Sequence, residues 1–165
     1  MSDLTHEQKK EFIEAAYNAA LGLAAEGRAI VPAVVAAQAA LESRYGASSL
    51  SAQAYNYFGI KAGKSWRGRS VVMPTMEWDR DLKKMVATTA RFKAFGSMRE
   101  CFADYARIIE TYSWFRDCVE AAKTQDPIRF VEGLITKPGE PGWATDPKYA
   151  DKVLKVIAMW GLLNR

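Results

Sequence analysis

Two carboxylates stand out as groups that could move a proton or hold a charge. Glu42 lies near the end of the run Val34-Val35-Ala36-Ala37-Gln38-Ala39-Ala40-Leu41-Glu42-Ser43-Arg44-Tyr45-Gly46. Nearly every residue ahead of it is small and apolar, alanine is the best helix former, and Pro32 suits a first helical turn. Gly46 is a natural stop just past the end. The run therefore predicts a closely packed helix with one carboxylate near its C-terminus, the end that disfavours negative charge. Partial burial acts in the same direction, and both push a glutamate pKa upward. A glutamate that stays protonated near neutral pH is what a general acid requires. From this stretch alone, a solvated glutamate at a frayed helix end fits equally well. Glu77 is the second carboxylate. Strand alternation puts it on one face with Val71, Met73 and Thr75, and its plainer reading is an ordinary charge beside a hairpin turn.

Other chemistries are poorly supplied. The chain has one histidine, His6, in a polar N-terminal segment. A Ser-His-Asp or Cys-His site needs a histidine against its nucleophile, and zinc hydrolases commonly use two or more histidine ligands. Two cysteines, Cys101 and Cys118, are too few for a disulfide framework; reduced and mostly buried thiols are expected. The net charge of +4 suits an anionic partner such as nucleic acid, a membrane surface or a wall polymer, and does not choose among them. No apolar run is long enough for a transmembrane helix. The first residues have no apolar signal-peptide core, so synthesis in the cytoplasm is expected.

Thr5-His6-Glu7-Gln8 has the form of a capping box and opens a helix with Phe12, Ala16, Ala19 and Leu23 inward, ending at Gly27. The helix of Glu42 follows, then a short serine-capped helix through Ala54. Tyr55-Asn56-Tyr57-Phe58-Gly59-Ile60-Lys61 reads as a turn entering a sheet. Val71–Trp78 and Met85–Phe92 are rich in β-branched and aromatic residues and predict a hairpin, with Pro74 marking an edge strand. The remainder is helical. Ser97-Met98-Arg99-Glu100 looks like a second capping box, Asp126-Pro127 and Asp146-Pro147 look like helix starts, and Lys137–Gly142 is a loop. The expectation is an α+β fold in one domain, residues 1–165. A small β lobe at about 57–95 is inserted between helical parts, with a cleft between the two.

The motifs resemble those of family-73 glycoside hydrolases. Ala39-Ala40-Leu41-Glu42-Ser43 with Gly46 and Ser48 is similar to the family's A-L-E-S-x-x-G-x-S. Asn56-Tyr57-Phe58-Gly59-Ile60-Lys61 resembles N-x-F-G-I-K, Thr75-Met76-Glu77 resembles T-x-E, and Ala144–Ala150 resembles A-T-D-P-x-Y-A. All occur in the family's order over roughly residues 8–162. The resemblance implies a lysozyme-like fold and an endo-β-N-acetylglucosaminidase that cuts peptidoglycan after N-acetylglucosamine, with no metal or cofactor. It makes Glu42 the general acid and Glu77 the second carboxylate, either a base or a charge stabiliser. Asn56, Tyr57, Trp66, Trp143, Asp146 and Tyr149 become candidates for the substrate groove. Asp146 has a rival reading as a helix cap, and Trp66 is expected in a flexible loop. Trp143 stands where the family often has tyrosine. The expected partner is the glycan strand rather than nucleic acid or a membrane interior, met by a monomer after release to the wall, as with a phage endolysin. A lytic transglycosylase, a muramidase on the same fold, and an inactive glycan-binding module are the alternatives.

Overall fold

The computed structural model describes residues 3–165; Met1 and Ser2 lie outside the described residues. Helix α1 (His6–Ala25) opens on the predicted capping box: the Thr5 hydroxyl accepts from the Gln8 amide at 3.1 Å, and the Thr5 amide donates to the Gln8 side chain at 2.8 Å. Its buried stripe is Ile13, Ala16, Ala20 and Leu23, rotated from the expected one. Phe12 and Ile13 are adjacent and both apolar, so the sequence leaves the helix phase ambiguous at that turn. Phe12 is half-buried instead, against Tyr45 and Tyr57.

Helix α2 (Pro32–Ser43) is the central rod. It is buried from Pro32 through Ala40 and packs against α1 and against two later helices, Pro127–Leu134 and Tyr149–Met159. Its small side chains allow this close approach, and each fully buried valine contributes about 1.5–3 kcal/mol relative to exposure. After Glu42 the chain turns sharply. Arg44, Tyr45 and Gly46 all have positive φ, at 51°, 55° and 79°. The expected stop at Gly46 is thus the last of three left-handed residues. Two of these are not glycine, a conformation held only where the surroundings enforce it. Ser43 helps, since its hydroxyl donates to the Ala39 carbonyl at 2.6 Å and accepts the Gly46 amide at 2.8 Å.

Helix α3 (Ser49–Ala54) is capped by Ser48. The hairpin follows as β1 (Ser70–Asp79) and β2 (Lys84–Lys93), paired antiparallel from Ser70–Lys93 to Asp79–Lys84. At its base the segment Ile60–Ala62 bonds to the other edge of β2, with the Lys93 amide donating to Ile60 and the Ala62 amide to Arg91. The helical remainder is α4 (Met98–Thr111), α5 (Arg116–Thr124), α6 (Pro127–Leu134) and α7 (Tyr149–Met159). Ser97 caps α4, but Glu100 reaches back to the Gly96 amide rather than to Ser97, so the second capping box is incomplete. Asp126 caps α6 as expected, with Pro127 at its first position. Helix α7 starts at Tyr149, two residues beyond Asp146-Pro147. Cys101 and Cys118 are buried and unpaired, and burial pushes both thiols up to about 12. No helix among the described residues is long and apolar enough to cross a membrane.

Candidate active site

The penultimate residue of α2 carries Glu42 to the floor of a hollow of about 340 Å³, walled by Phe58, Ile60, Ile108, Trp114 and Trp143 among others. The carboxylate meets two donors there. The Tyr149 hydroxyl donates to Oε2 at 3.0 Å. The Trp143 indole N–H is shared between Oε2 at 3.2 Å and Oε1 at 3.4 Å. Glu42 as a residue is exposed along the open side of the hollow, while its carboxyl end is crowded by protein. Loss of hydration raises its pKa from an ordinary 4.5 to about 7, and the bonds from Tyr149 and Trp143 pull the other way. A carboxyl raised in this way is able to hold a proton near neutral pH.

Trp143 is placed by the loop after α6. Its amide donates to the Leu134 carbonyl at 2.8 Å, and the Ala144 carbonyl accepts from both the amide and the hydroxyl of Thr136. Gly142 makes the crossing possible: a Cβ there would sit 2.7 Å from the Thr136 backbone. The indole also packs against Phe58, Tyr105 and Phe115. Trp143→Phe keeps that packing and deletes one donor to the carboxylate. We expect about a tenfold fall in kcat and an upward shift of the alkaline limb of the pH–rate profile. An unchanged limb would show that the indole N–H does not act on Glu42.

Glu77 lies on the half-buried face of β1 with Val71, Met73 and Thr75, as alternation predicts. Its carboxylate pairs with Lys61 at 2.5 Å. Lys61 bridges to Phe92, which faces Val71. Glu77 is six residues further along β1, about 20 Å on an ideal strand. Two side chains span only part of that distance, so the twisted ribbon must coil over to bring Glu77 back to Lys61. Glu77 is not in the lining of the hollow around Glu42.

The other candidates divide. Tyr149 is buried and touches Glu42. Tyr57 is turned into the core between Phe12 and Phe102, and burial pushes its hydroxyl up to about 12; its neighbour Phe58 takes the groove position instead. Asn56 is also turned inward. Its Oδ1 accepts the amides of Phe58 and Ile60, and its Nδ2 donates to the carbonyls of Ile60 and Lys93, so the side chain braces this loop. Asp146 accepts the Lys148 amide and pairs with Lys152 at 2.8 Å. Lys152 first, then the amide, holds its carboxyl below the usual range. That is a helix-entry role.

Trp66 is anchored rather than loose, against the flexible-loop expectation. Its indole N–H donates to the Arg69 carbonyl at 2.8 Å, its ring meets Phe95, and the Lys93 ammonium stands 4.4 Å from the ring centre. It lines a second hollow that shares Ile60, Ile108 and Tyr112 with the first, so the two form one groove. Ile108, Tyr112 and Trp114 were not singled out from the sequence. Their signal was an aromatic cluster at a helix end, which core packing explains equally well. Among the described residues no cluster of three or more histidine, cysteine or acidic side chains is placed to hold a metal.

Residues 18–162 match the family model described as mannosyl-glycoprotein endo-beta-N-acetylglucosaminidase. The chain belongs to this glucosaminidase family of glycoside hydrolases. The peptidoglycan hydrolase FlgJ of Vibrio cholerae is 34% identical over 131 residues, covering 78% of the chain and 37% of that relative. The exo-glucosaminidase LytG of Bacillus subtilis is 30% identical over 138 residues, covering 81% of the chain and 45% of LytG. The chain thus spans less than half the length of these curated relatives. Among solved structures, the catalytic domain of the autolysin Auto from Listeria monocytogenes superposes with a TM-score of 0.79 at 28% identity, covering 99% of this chain and 90% of that one. The mostly helical family fold with its two-stranded sheet agrees with the lysozyme-like architecture read from the sequence.

Proposed function

We propose that this glucosaminidase-family chain is one catalytic domain that hydrolyses peptidoglycan at the β-1,4 bond after N-acetylglucosamine. The observation that carries the reading is Glu42: a carboxyl held by Tyr149 and Trp143 in an aromatic-walled groove, where loss of hydration pushes it up to about 7. Glycoside cleavage needs a proton on the leaving oxygen and tolerance of an oxocarbenium-like transition state. Glu42 supplies the proton. As the bond breaks, the carboxylate left behind is stabilised by Tyr149 and Trp143, which already donate to it. The flat walls fit sugar faces, and Trp66 extends the groove along the strand. Glu77 serves as base or charge stabiliser from the hairpin. The net charge of +4 suits an anionic wall polymer, and a phage-type lysis role, by a monomer released to the wall, completes the proposal.

One observation favours a second reading. Glu77 is engaged by Lys61 and stands outside the Glu42 hollow. A lytic transglycosylase needs only one acid, and no base to activate water. Mass spectrometry of muropeptides released from purified peptidoglycan, with and without borohydride reduction, separates the two. Reducible N-acetylglucosamine ends are expected. Anhydro ends would transfer the case to the transglycosylase, reducible N-acetylmuramic acid ends would make the chain a muramidase, and no release by folded protein would leave a binding module.

A further inference from the structure

Gln38 is a polar side chain with no exposed surface, one turn before Glu42 on a helix whose other residues ahead of Glu42 are all apolar. Both ends of its amide are used. The Tyr105 hydroxyl, from α4, donates to Oε1. Nε2 donates to the Tyr149 hydroxyl, from α7, at 2.9 Å. Tyr149 in turn donates to Glu42 Oε2. The four groups form a chain of donors with one direction, Tyr105 to Gln38 to Tyr149 to Glu42.

That direction has a chemical consequence. A tyrosine hydroxyl has one proton, and an amide has distinct donor and acceptor ends. Because Gln38 presents Nε2 to Tyr149, the Tyr149 oxygen is already accepting and its single proton is committed to Glu42 Oε2. That oxygen also lies nearer the Trp143 N–H. Oε2 is therefore the accepting oxygen, and the transferable proton of Glu42 belongs on Oε1. If the amide were reversed, Tyr149 would donate to Gln38 and face the Glu42 carboxylate with lone pairs.

We propose that Gln38, held by Tyr105, is a positioning residue that fixes Tyr149 as a donor and thereby assigns the acid proton of Glu42 to Oε1. The proposal rests on the reading of Glu42 as general acid. The titratable groups facing Glu42 are Tyr149 from α7, Tyr105 and Cys101 from α4, and Tyr112 across the hollow. Burial raises the first three, so they stay neutral while Glu42 titrates. Donor chains polarise one another, so the amide makes Tyr149 a stronger donor to the anion. Losing it raises the pKa of Glu42.

The test is a titration of the Glu42 side-chain carboxyl by carbon-13 NMR in the whole protein. It compares wild type, Gln38→Leu and the double variant Gln38→Leu with Tyr105→Phe. The double variant removes both buried partners and leaves no orphaned hydroxyl at position 105, so it keeps the experiment valid if Gln38→Leu alone does not fold. The midpoint is expected to rise by roughly half a unit or more in the folded variant, with kcat on peptidoglycan about tenfold lower and KM unchanged. An unmoved midpoint in a folded variant overturns the proposal. Because the titration needs no turnover, it decides this point even if the wild-type protein releases no muropeptides, a result that would instead strike the functional reading itself.

Discussion

Glu42→Gln is expected to lower peptidoglycan cleavage by at least about a hundredfold while leaving the fold intact. The amide is nearly isosteric and can still accept from Tyr149 and Trp143, but it has no acidic proton to give. Retention of more than about a tenth of the activity would remove Glu42 from the general-acid role. The same variant carries a stability signature whose sign follows from linkage. In the folded state the Glu42 carboxyl is raised from 4.5 to about 7, so between those values the folded protein binds more protons than the unfolded chain. Wild-type stability is therefore fully present below about 4.5 and declines as pH rises through about 7. The shift alone would set a ceiling of ~3 kcal/mol. Glu42 keeps some contact with solvent, which screens it and brings the expectation to roughly 1 kcal/mol. Urea unfolding should find Glu42→Gln as stable as wild type at pH 4 and more stable by about that amount at pH 8. Equal stability at both would show that the carboxylate is not strained by its surroundings.

Asp104→Ala is expected to cost about 3 kcal/mol of folding free energy. Asp104 on α4 accepts from Lys93 at 2.8 Å and from Arg107 at 3.0 Å. The Lys93 and Asp104 side chains are only 9% and 10% exposed, so this pair is taken out of water where β2 joins the helical body. Without Asp104, the Lys93 ammonium keeps only the face of Trp66, a partial substitute. For a chain of this length the loss corresponds to a fall in Tm of roughly 10 °C. Replacing both partners, as Lys93→Met with Asp104→Leu, should recover most of it, because apolar residues leave no charge to desolvate. A loss under about 1 kcal/mol for Asp104→Ala would mean that Lys93 swings into water at little cost.

The helix of Glu42 was legible because its message is local: a proline start, a run of alanines and valines, and one carboxylate at the end. The hairpin was legible for the same reason, from alternation and composition, and the structure extends each strand by one residue at each end. What was lost depends on facing. In Asn56-Tyr57-Phe58 nothing local says which ring faces the core, so the sequence reading puts Tyr57 in the groove and leaves Phe58 out. Asn56 was expected among groove residues because its motif matched; that its amide is consumed by four backbone partners depends on how β2 returns to the loop. Gln38 stood in plain view inside the apolar helix. Its partners Tyr105 and Tyr149 lie 67 and 111 positions away, beyond the reach of any spacing argument. Trp143 was expected near the substrate; that it donates to Glu42 became visible only once the loop after α6 was folded back at Gly142.

The hairpin has a consequence for how this protein behaves when crowded. Among the described residues its β1 strand has a bonded neighbour on one side only, and beyond the base β2 is in the same position. Its outer face carries Val72, Met76, Trp78 and Met85 in the open. Unpaired strand edges beside apolar side chains are the usual template for a second copy to add on and start a β-aggregate. The ribbon carries its own safeguards. Pro74 lacks the N–H that an added strand would need. Lys84 and Arg91 line β2, and the coil that brings Glu77 to Lys61 bends both edges away from the flat shape that stacking requires. The same curvature that brings Glu77 to Lys61 therefore also works against the stacking of copies.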